Sequence, residues 1–138
     1  MVISNKQNQK DLIELNDLNQ SFELIDLNII GNELSKNKYD ILVFYSDYNL
    51  TINQSILYGY LNCLKMNRFE GLVGILKVPG GAFELPLLSS KIIRKYSPKL
   101  CLVVGCIING ETQHYEFLSS TVTNAIRNVS FENNTPIL

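Results

Sequence analysis

The stretch LCLVVGCIINGETQHYEF, residues 100–117, decides the fold of this chain. It begins with a continuous apolar run over residues 100–108, which is typical of a strand covered on both faces. A break at Asn109 and Gly110 follows, and a helical pattern begins near residue 115. The single histidine of the chain, His114, lies where that helix starts. The order of strand, glycine turn and helix predicts one unit of a parallel α/β sheet.

Two further units of this kind come earlier in the chain. Residues 41–45 and 72–78 are short apolar runs, and each is followed by a turn and by helical spacing, over residues 50–66 and 83–96. A last apolar segment at residues 136–138 could open a fourth strand. The alternation predicts a three-layer αβα sandwich around a flavodoxin-like parallel sheet, joined by helical crossovers.

Composition and charge limit the classes of function. The chain has 138 residues, enough for one domain with a single core. Its net charge of −1 gives no electrostatic basis for binding nucleic acid or a membrane surface. No apolar run in the sequence reaches the roughly 18 residues that cross a bilayer. The three cysteines form no CxxC pair, so we expect a reducing compartment and simple core roles for Cys101 and Cys106.

The amino-terminal part of the chain has a different pattern. Residues 1–28 are rich in Asn, Gln, Asp and Leu and contain neither Gly nor Pro. We interpret them as a mobile or weakly helical extension, and residues 29–138 as the folded domain. The first residues lack the basic and then apolar layout of a secretory signal. We therefore expect a cytoplasmic protein.

Ligands of open parallel sheets bind beyond the carboxyl ends of the strands, and three predicted loops lie at that edge. They are residues 46–49, 79–83 and 109–114. In the third loop, free N–H groups at the start of a helix favour an anion such as phosphate. The same Gly and Thr also occur at such places simply as turn and cap residues. His114 could exchange protons near physiological pH, or it could be an exposed cap residue.

The other two loops carry side chains suited to binding. The glycine turn at residues 79–81 lets the backbone approach a ligand closely. Phe83 could form an apolar wall, and Glu84 could accept hydrogen bonds from polyol hydroxyls. A simple hydrophobic contact and a first-turn acid are the alternatives for these two residues. Tyr48 offers a flat face for stacking on a heterocycle.

Together, VPGGAFELPL (residues 78–87) and GCIINGETQHYEF (residues 105–117) resemble the paired signatures of 6,7-dimethyl-8-ribityllumazine synthases. The resemblance extends to YDILVFYSDYN at residues 39–49 and to SSTVTNAIRNVSFENNTPI at residues 119–137. It implies a transferase of riboflavin biosynthesis. Such an enzyme condenses 5-amino-6-(ribitylamino)uracil with 3,4-dihydroxy-2-butanone 4-phosphate, without a metal or an organic cofactor.

The resemblance also implies roles for individual residues. His114 matches the residue that transfers protons, and Tyr48 matches the aromatic residue that stacks on the pyrimidine. The other residues implied in substrate binding are Asn49, Ala82, Phe83, Glu84, Cys106, Ile107, Ile108 and, on the phosphate side, Gly110, Glu111 and Thr112. The family further implies a homo-oligomer, either a pentamer or an icosahedral shell of sixty subunits. Residues 29–34 resemble a strand that is added to the sheet of a neighbouring subunit.

The sequence departs from the family pattern at three places. VPGGAFE carries one glycine more than is usual, which could shift Phe83 and Glu84 relative to a ligand. Family members also continue past the position of Leu138 with an Arg and a Lys that bind the phosphate, and they usually have a basic residue where Asn109 stands. Each charge-assisted hydrogen bond contributes about 1.5–3 kcal/mol, so we expect weaker phosphate recognition. The alternative to an active enzyme is therefore an impaired or inactive remnant that binds a ligand or co-assembles.

Overall fold

In the computed structural model, which describes residues 22–25, 38–110 and 114–138, parallel strands alternate with helices. The strands are β1 (Phe22–Leu24), β2 (Ile41–Ser46), β3 (Val73–Val78) and β4 (Leu100–Val104). The helices are α1 (Leu50–Met66), α2 (Leu85–Tyr96) and α3 (His114–Asn133). A short 3₁₀ helix, Ala82–Glu84, leads into α2.

The strands of the described residues form one sheet in the order β1-β3-β2-β4. Every neighbouring pair is parallel. Phe44 of β2 lies opposite Leu76 on one side and Val103 on the other. All six residues of β2 are buried, which explains why its first five residues are continuously apolar rather than alternating. The predicted parallel α/β sheet is confirmed.

Helices cover both faces of the sheet. Leu61 of α1 packs with Val43 on one face. Ile92 of α2 and Val129 of α3 pack with Phe44 on the other face. Val43 and Phe44 are adjacent in the chain and belong to different faces, as the pleat of a strand requires. The three-layer sandwich is therefore confirmed, and no helix among the described residues has the length and apolar content needed to cross a bilayer.

Two predicted elements have different bounds in the structure. The strand predicted over residues 100–108 ends at Val104, and residues 105–110 have no regular structure. Val104 pairs with Tyr45 near the end of β2, so a longer strand would have little left to pair with. The last helix starts at His114 and continues to Asn133, beyond the predicted residue 129. It ends where Asn134 adopts a positive φ of 48°.

The first strand lies inside the segment that we predicted as a mobile or weakly helical extension. That prediction is wrong for residues 22–24, which pair with β3 as an edge strand. These three residues alternate apolar, polar and apolar, as a strand at the edge of a sheet does. The alternation lets Phe22 and Leu24 pack on the core beneath α1. The rest of the predicted extension, apart from Ile25, and the strand predicted at residues 29–34 lie outside the described residues.

The predicted strand opening at residues 136–138 is confirmed beside β4. Ile137 forms a parallel bridge with Cys101. The N–H of Leu138 donates to the carbonyl of Cys101 at 2.9 Å, and the N–H of Val103 donates to the carbonyl of Leu138 at 2.9 Å. This segment therefore extends the sheet on the side opposite to β1.

Asp40 joins the beginnings of three strands at the other edge of the sheet. Lys99 Nζ lies 2.7 Å from Asp40 Oδ1, and the N–H of Leu72 donates to Asp40 Oδ2 at 2.9 Å. The hydrogen bond from Lys99 and then the one from Leu72 hold the pKa of Asp40 below its ordinary value. Because the pKa is lowered, the ionised carboxylate stabilises the fold at pH values above the ordinary pKa of aspartate. This stabilisation is lost as the pH falls through the pKa of the folded state.

We expect Asp40→Asn to lower the Tm at pH 7 and to have progressively less effect below about pH 4. The loss is small because Lys99 is 75% exposed and its charge is screened by solvent. Thermal unfolding of both proteins between pH 3 and pH 7 measures the difference. Glu70→Gln, which neutralises an exposed carboxylate, is the matched control. An equal difference in Tm at pH 3 and at pH 7 would contradict the assignment.

Candidate active site

A cavity of about 460 Å³ lies where the loops after β2, β3 and β4 meet the start of α3. Pockets that hold small molecules have volumes of roughly 300–1,000 Å³. The residues that line the cavity are Tyr48, Asn49, Gly81, Ala82, Phe83, Cys106, Ile107, Ile108, Gly110, His114, Tyr115 and Leu118. The three loops predicted at the carboxyl edge of the sheet therefore do come together in space.

Most of the residues predicted for the site line this cavity, with three exceptions. Glu84 is exposed and is not among the lining residues. Glu111 and Thr112 lie outside the described residues. Our sequence reasoning missed Tyr115 and Leu118, which also line the cavity. Helical spacing is the signal for Leu118, because it lies four residues after His114 and so on the same side of α3.

The turn after β2 contributes Tyr48 and Asn49. Asn49 precedes α1 with φ 57° and ψ 42°, a left-handed conformation that asparagine tolerates better than most residues. Its side chain makes no cap of α1; instead Nδ2 donates to the carbonyl of Cys106 at 3.3 Å. This bond joins the turn after β2 to the segment after β4. Tyr48 is 65% exposed and lines the cavity, so a ligand can reach it.

The turn after β2 is also joined to the glycine turn after β3. The N–H of Tyr48 donates to the carbonyl of Gly80 at 3.1 Å. In return, the N–H of Gly80 donates to Asp47 Oδ1 at 2.7 Å. Gly80 has a φ of +94°, a conformation that other residues rarely adopt. Asp47 is a residue that our sequence reasoning did not single out, although aspartate is common in turns for this kind of bond.

The described cysteines have three different environments. Cys101 is buried in the core, as predicted, and burial raises its pKa to about 12. The prediction of a core role for Cys106 is wrong, because β4 ends before it and the residue is half-buried at the cavity. Cys63 is exposed on α1.

The polar groups at the cavity are few. Among the described lining residues they include the hydroxyls of Tyr48 and Tyr115, the amide of Asn49 and the imidazole of His114, and none of these lining residues is lysine or arginine. His114 is exposed at the first position of α3. In the described ranges, no three His, Cys, Asp or Glu side chains lie together as a metal site would require. The arrangement combines flat apolar surfaces with one imidazole, the side chain most often used in general acid–base catalysis.

Comparison with known proteins agrees with this arrangement. Residues 38–138 match the sequence model of the 6,7-dimethyl-8-ribityllumazine synthase family. The chain belongs to that family. The matched region contains β2, β3, β4, all three helices and every described residue of the cavity. The resemblance seen in the sequence is confirmed.

Individual lumazine synthases are similar over most of the chain. The protein of that name from Prochlorococcus marinus (strain MIT 9312) is 34% identical over 113 residues, which are 78% of this chain and 71% of the relative. The one from Buchnera aphidicola subsp. Baizongia pistaciae is 36% identical over 107 residues, 75% of this chain and 65% of the relative. The one from Clostridium kluyveri is 38% identical over 104 residues, 73% of this chain and 64% of the relative. The chain thus spans about two thirds of the length of these lumazine synthases.

Proposed function

We propose that this chain is a 6,7-dimethyl-8-ribityllumazine synthase, a transferase of riboflavin biosynthesis. It condenses 5-amino-6-(ribitylamino)uracil with 3,4-dihydroxy-2-butanone 4-phosphate. One observation carries the proposal. In this member of the family, Tyr48 and His114 line the same cavity, although they follow different strands.

The uracil substrate is held mainly by flat and apolar surfaces. Its ring stacks on Tyr48, which gains aromatic contact at little conformational cost. Ala82 and Phe83 form the neighbouring wall of the cavity. The backbone groups of residues 106–108 lie beyond the end of β4 and pair with the polar edge of the heterocycle. We infer that Glu84, which lies next to this wall, accepts hydrogen bonds from the ribityl hydroxyls.

The reaction needs proton transfer and alignment of two substrates more than it needs a strong nucleophile. The amine of the uracil substrate attacks the ketone carbonyl, and water leaves as the imine forms. A carbon next to the imine then loses a proton, and phosphate leaves by β-elimination. The ribitylamino nitrogen closes the ring, with loss of a second water. His114 takes up and returns the protons of these steps.

The phosphate binds at the start of α3. Free N–H groups and the helix dipole favour an anion there, and Gly110 lies at this end of the cavity. Glu111 and Thr112, which fall outside the described residues, belong to the same loop. None of the described lining residues is lysine or arginine. Among the described residues, the phosphate is therefore bound by backbone groups and His114.

We further propose that the chain acts in the cytoplasm as a homo-oligomer, either a pentamer or a larger icosahedral shell. Large apolar side chains that are exposed on the single chain support assembly, because burial between subunits would remove them from water. They include Ile52, Ile56, Leu87 and Phe117. Sedimentation velocity of the purified protein measures the assembly, and a monomer at micromolar concentration would contradict this proposal.

An assay with both substrates tests the proposed reaction. The purified protein is incubated with the ribitylaminouracil and the butanone phosphate, and lumazine formation is followed by absorbance and fluorescence. We expect product only when both substrates are present, with release of inorganic phosphate in equal amount. Binding of the uracil substrate without turnover would instead support the alternative, a binding or co-assembly subunit.

We expect ligand binding to protect one cysteine and leave another unchanged. In the native protein, Cys63 and Cys106 react with a thiol-alkylating reagent, whereas buried Cys101 reacts only after unfolding. Adding 6,7-dimethyl-8-ribityllumazine at ten times its Kd slows the modification of Cys106 about tenfold, because only the free protein reacts. Mass spectrometry of peptides measures each rate, and exposed Cys63 is the internal control. An unchanged rate at Cys106 with saturating ligand would contradict the proposed site.

A further inference from the structure

Asn53 of α1 is a fully buried polar residue beneath the turn that carries Tyr48. Its exposed fraction is 0%. Nδ2 lies 2.9 Å from the carbonyl oxygen of Ser46, 2.9 Å from Ser46 Oγ and 2.9 Å from the carbonyl oxygen of Tyr48. Two of these three groups are carbonyls, which accept only. The amide nitrogen must therefore face them, since the reversed side chain would bring Oδ1 against two other oxygens.

The position of Asn53 on its helix would suit an apolar residue. The buried residues of α1 are Asn53, Leu57 and Leu61, which are spaced by four and share one face. The amide also leaves its oxygen without a partner, because no described group donates a hydrogen bond to Oδ1. Burying such a group has an unfavourable free energy. Core packing therefore does not explain an asparagine here, whereas its bonds to the turn do.

These bonds fix the backbone on both sides of Tyr48. The carbonyl of Tyr48 accepts from Asn53, and its N–H donates to the carbonyl of Gly80 at 3.1 Å. Tyr48 as a residue is 65% exposed, so packing constrains its side chain little. The direction of the ring over the cavity then depends on the backbone from which the side chain extends.

We propose that Asn53 is a positioning residue that fixes the direction of the Tyr48 ring over the cavity. This inference rests on the proposed function, in which a flat heterocycle stacks on that ring. Asn53 touches no substrate and does not line the cavity. Its effect on ligand affinity passes through Tyr48.

The first experiment measures binding of 6,7-dimethyl-8-ribityllumazine by its fluorescence. Asn53→Asp keeps the shape of the side chain and replaces the donor with an oxygen that faces two carbonyls. We expect the Kd to rise about 3–10-fold, the range given by one aromatic contact. Asn62→Asp makes the same chemical change at an exposed position of α1 and is expected to leave the Kd within about twofold of wild type.

A double-mutant cycle separates positioning from a general loss of structure. If Asn53 acts through the ring, then Asn53→Asp adds less than about twofold to the Kd in a Tyr48→Ala background. The same 3–10-fold loss in both backgrounds would overturn the proposal, because the effect would then not depend on the ring. Asn53→Leu removes the donor and places an apolar side chain on the buried face of α1, and it is tested in the same cycle if Asn53→Asp does not fold.

A measurement without ligand keeps this inference distinct from the proposed function. Tyrosine-labelled protein gives NMR signals for the Tyr48 ring, assigned with Tyr48→Phe. We expect Asn53→Asp or Asn53→Leu to shift and broaden these signals, and Asn62→Asp to leave them unchanged. If wild type binds no lumazine, the proposed function fails and the ring signals alone decide the positioning role. Unchanged Tyr48 signals in both test variants would overturn it.

Discussion

Replacing His114 with alanine is expected to lower kcat for lumazine formation about 10²–10⁴-fold, the usual contribution of a positioned acid–base group. The substitution removes the imidazole, which is the lining side chain best suited to exchange protons at neutral pH. KM for the uracil substrate should change much less, because the contacts we propose for it are mainly with Tyr48 and Phe83. Steady-state rates at saturating concentrations of both substrates measure the two effects separately.

Two further variants decide whether the loss reflects proton transfer. His114→Gln retains hydrogen bonding but cannot exchange protons at neutral pH, so its kcat should be as low as that of His114→Ala. Asn124→Ala, at an exposed position of the same helix, should retain the wild-type rate. Since His114 is exposed, its loss should barely alter the Tm. If His114→Ala kept more than a tenth of kcat, another group or solvent would have to move the protons.

Most of the sheet could be predicted because its strands are covered on both faces. Residues 41–46 are all buried, so the strand reads as one apolar run with clear ends. The same rule failed at the end of β4. There the apolar run continues past Val104 through Cys106, Ile107 and Ile108, which line the cavity. A cavity wall and a core strand use the same residue types, so hydrophobicity alone does not separate them.

The site could be predicted only as far as its parts follow from local sequence. That Tyr48 and His114 lie at one cavity could be predicted because parallel strands bring their carboxyl ends to one edge. The bonds between turns were not found. Asp47 reaches Gly80 because Ser46 lies opposite Val78 in the sheet, and that register is a property of strand pairing rather than of either turn. The bonds of Asn53 were missed for the same reason, since its partners Ser46 and Tyr48 lie at the end of β2 and in the turn after it, and they become its neighbours only when α1 packs.

Replacing Phe44 with alanine is expected to lower the free energy of unfolding by about 3–5 kcal/mol. Phe44 is 0% exposed at the centre of β2, where it packs with residues of α2 and α3. Its loss leaves a cavity that the surrounding strands cannot close without shifting. A typical domain is stable by only about 5–15 kcal/mol, so this one substitution removes a large fraction of the total. Urea denaturation followed by circular dichroism gives the difference.

The matched control is Phe131→Ala, because Phe131 is 71% exposed on α3. Its described interaction is with Arg127, whose Cζ lies 5.2 Å from the ring centroid, and an exposed contact of that kind contributes about 0.5–1 kcal/mol. Phe44→Leu, which preserves most of the volume, should cost less than the alanine variant. Similar losses for Phe44→Ala and Phe131→Ala would mean that the centre of the sheet does not dominate stability. In that case, burial of β2 would not be what holds the following turn, which carries Tyr48, in a fixed position.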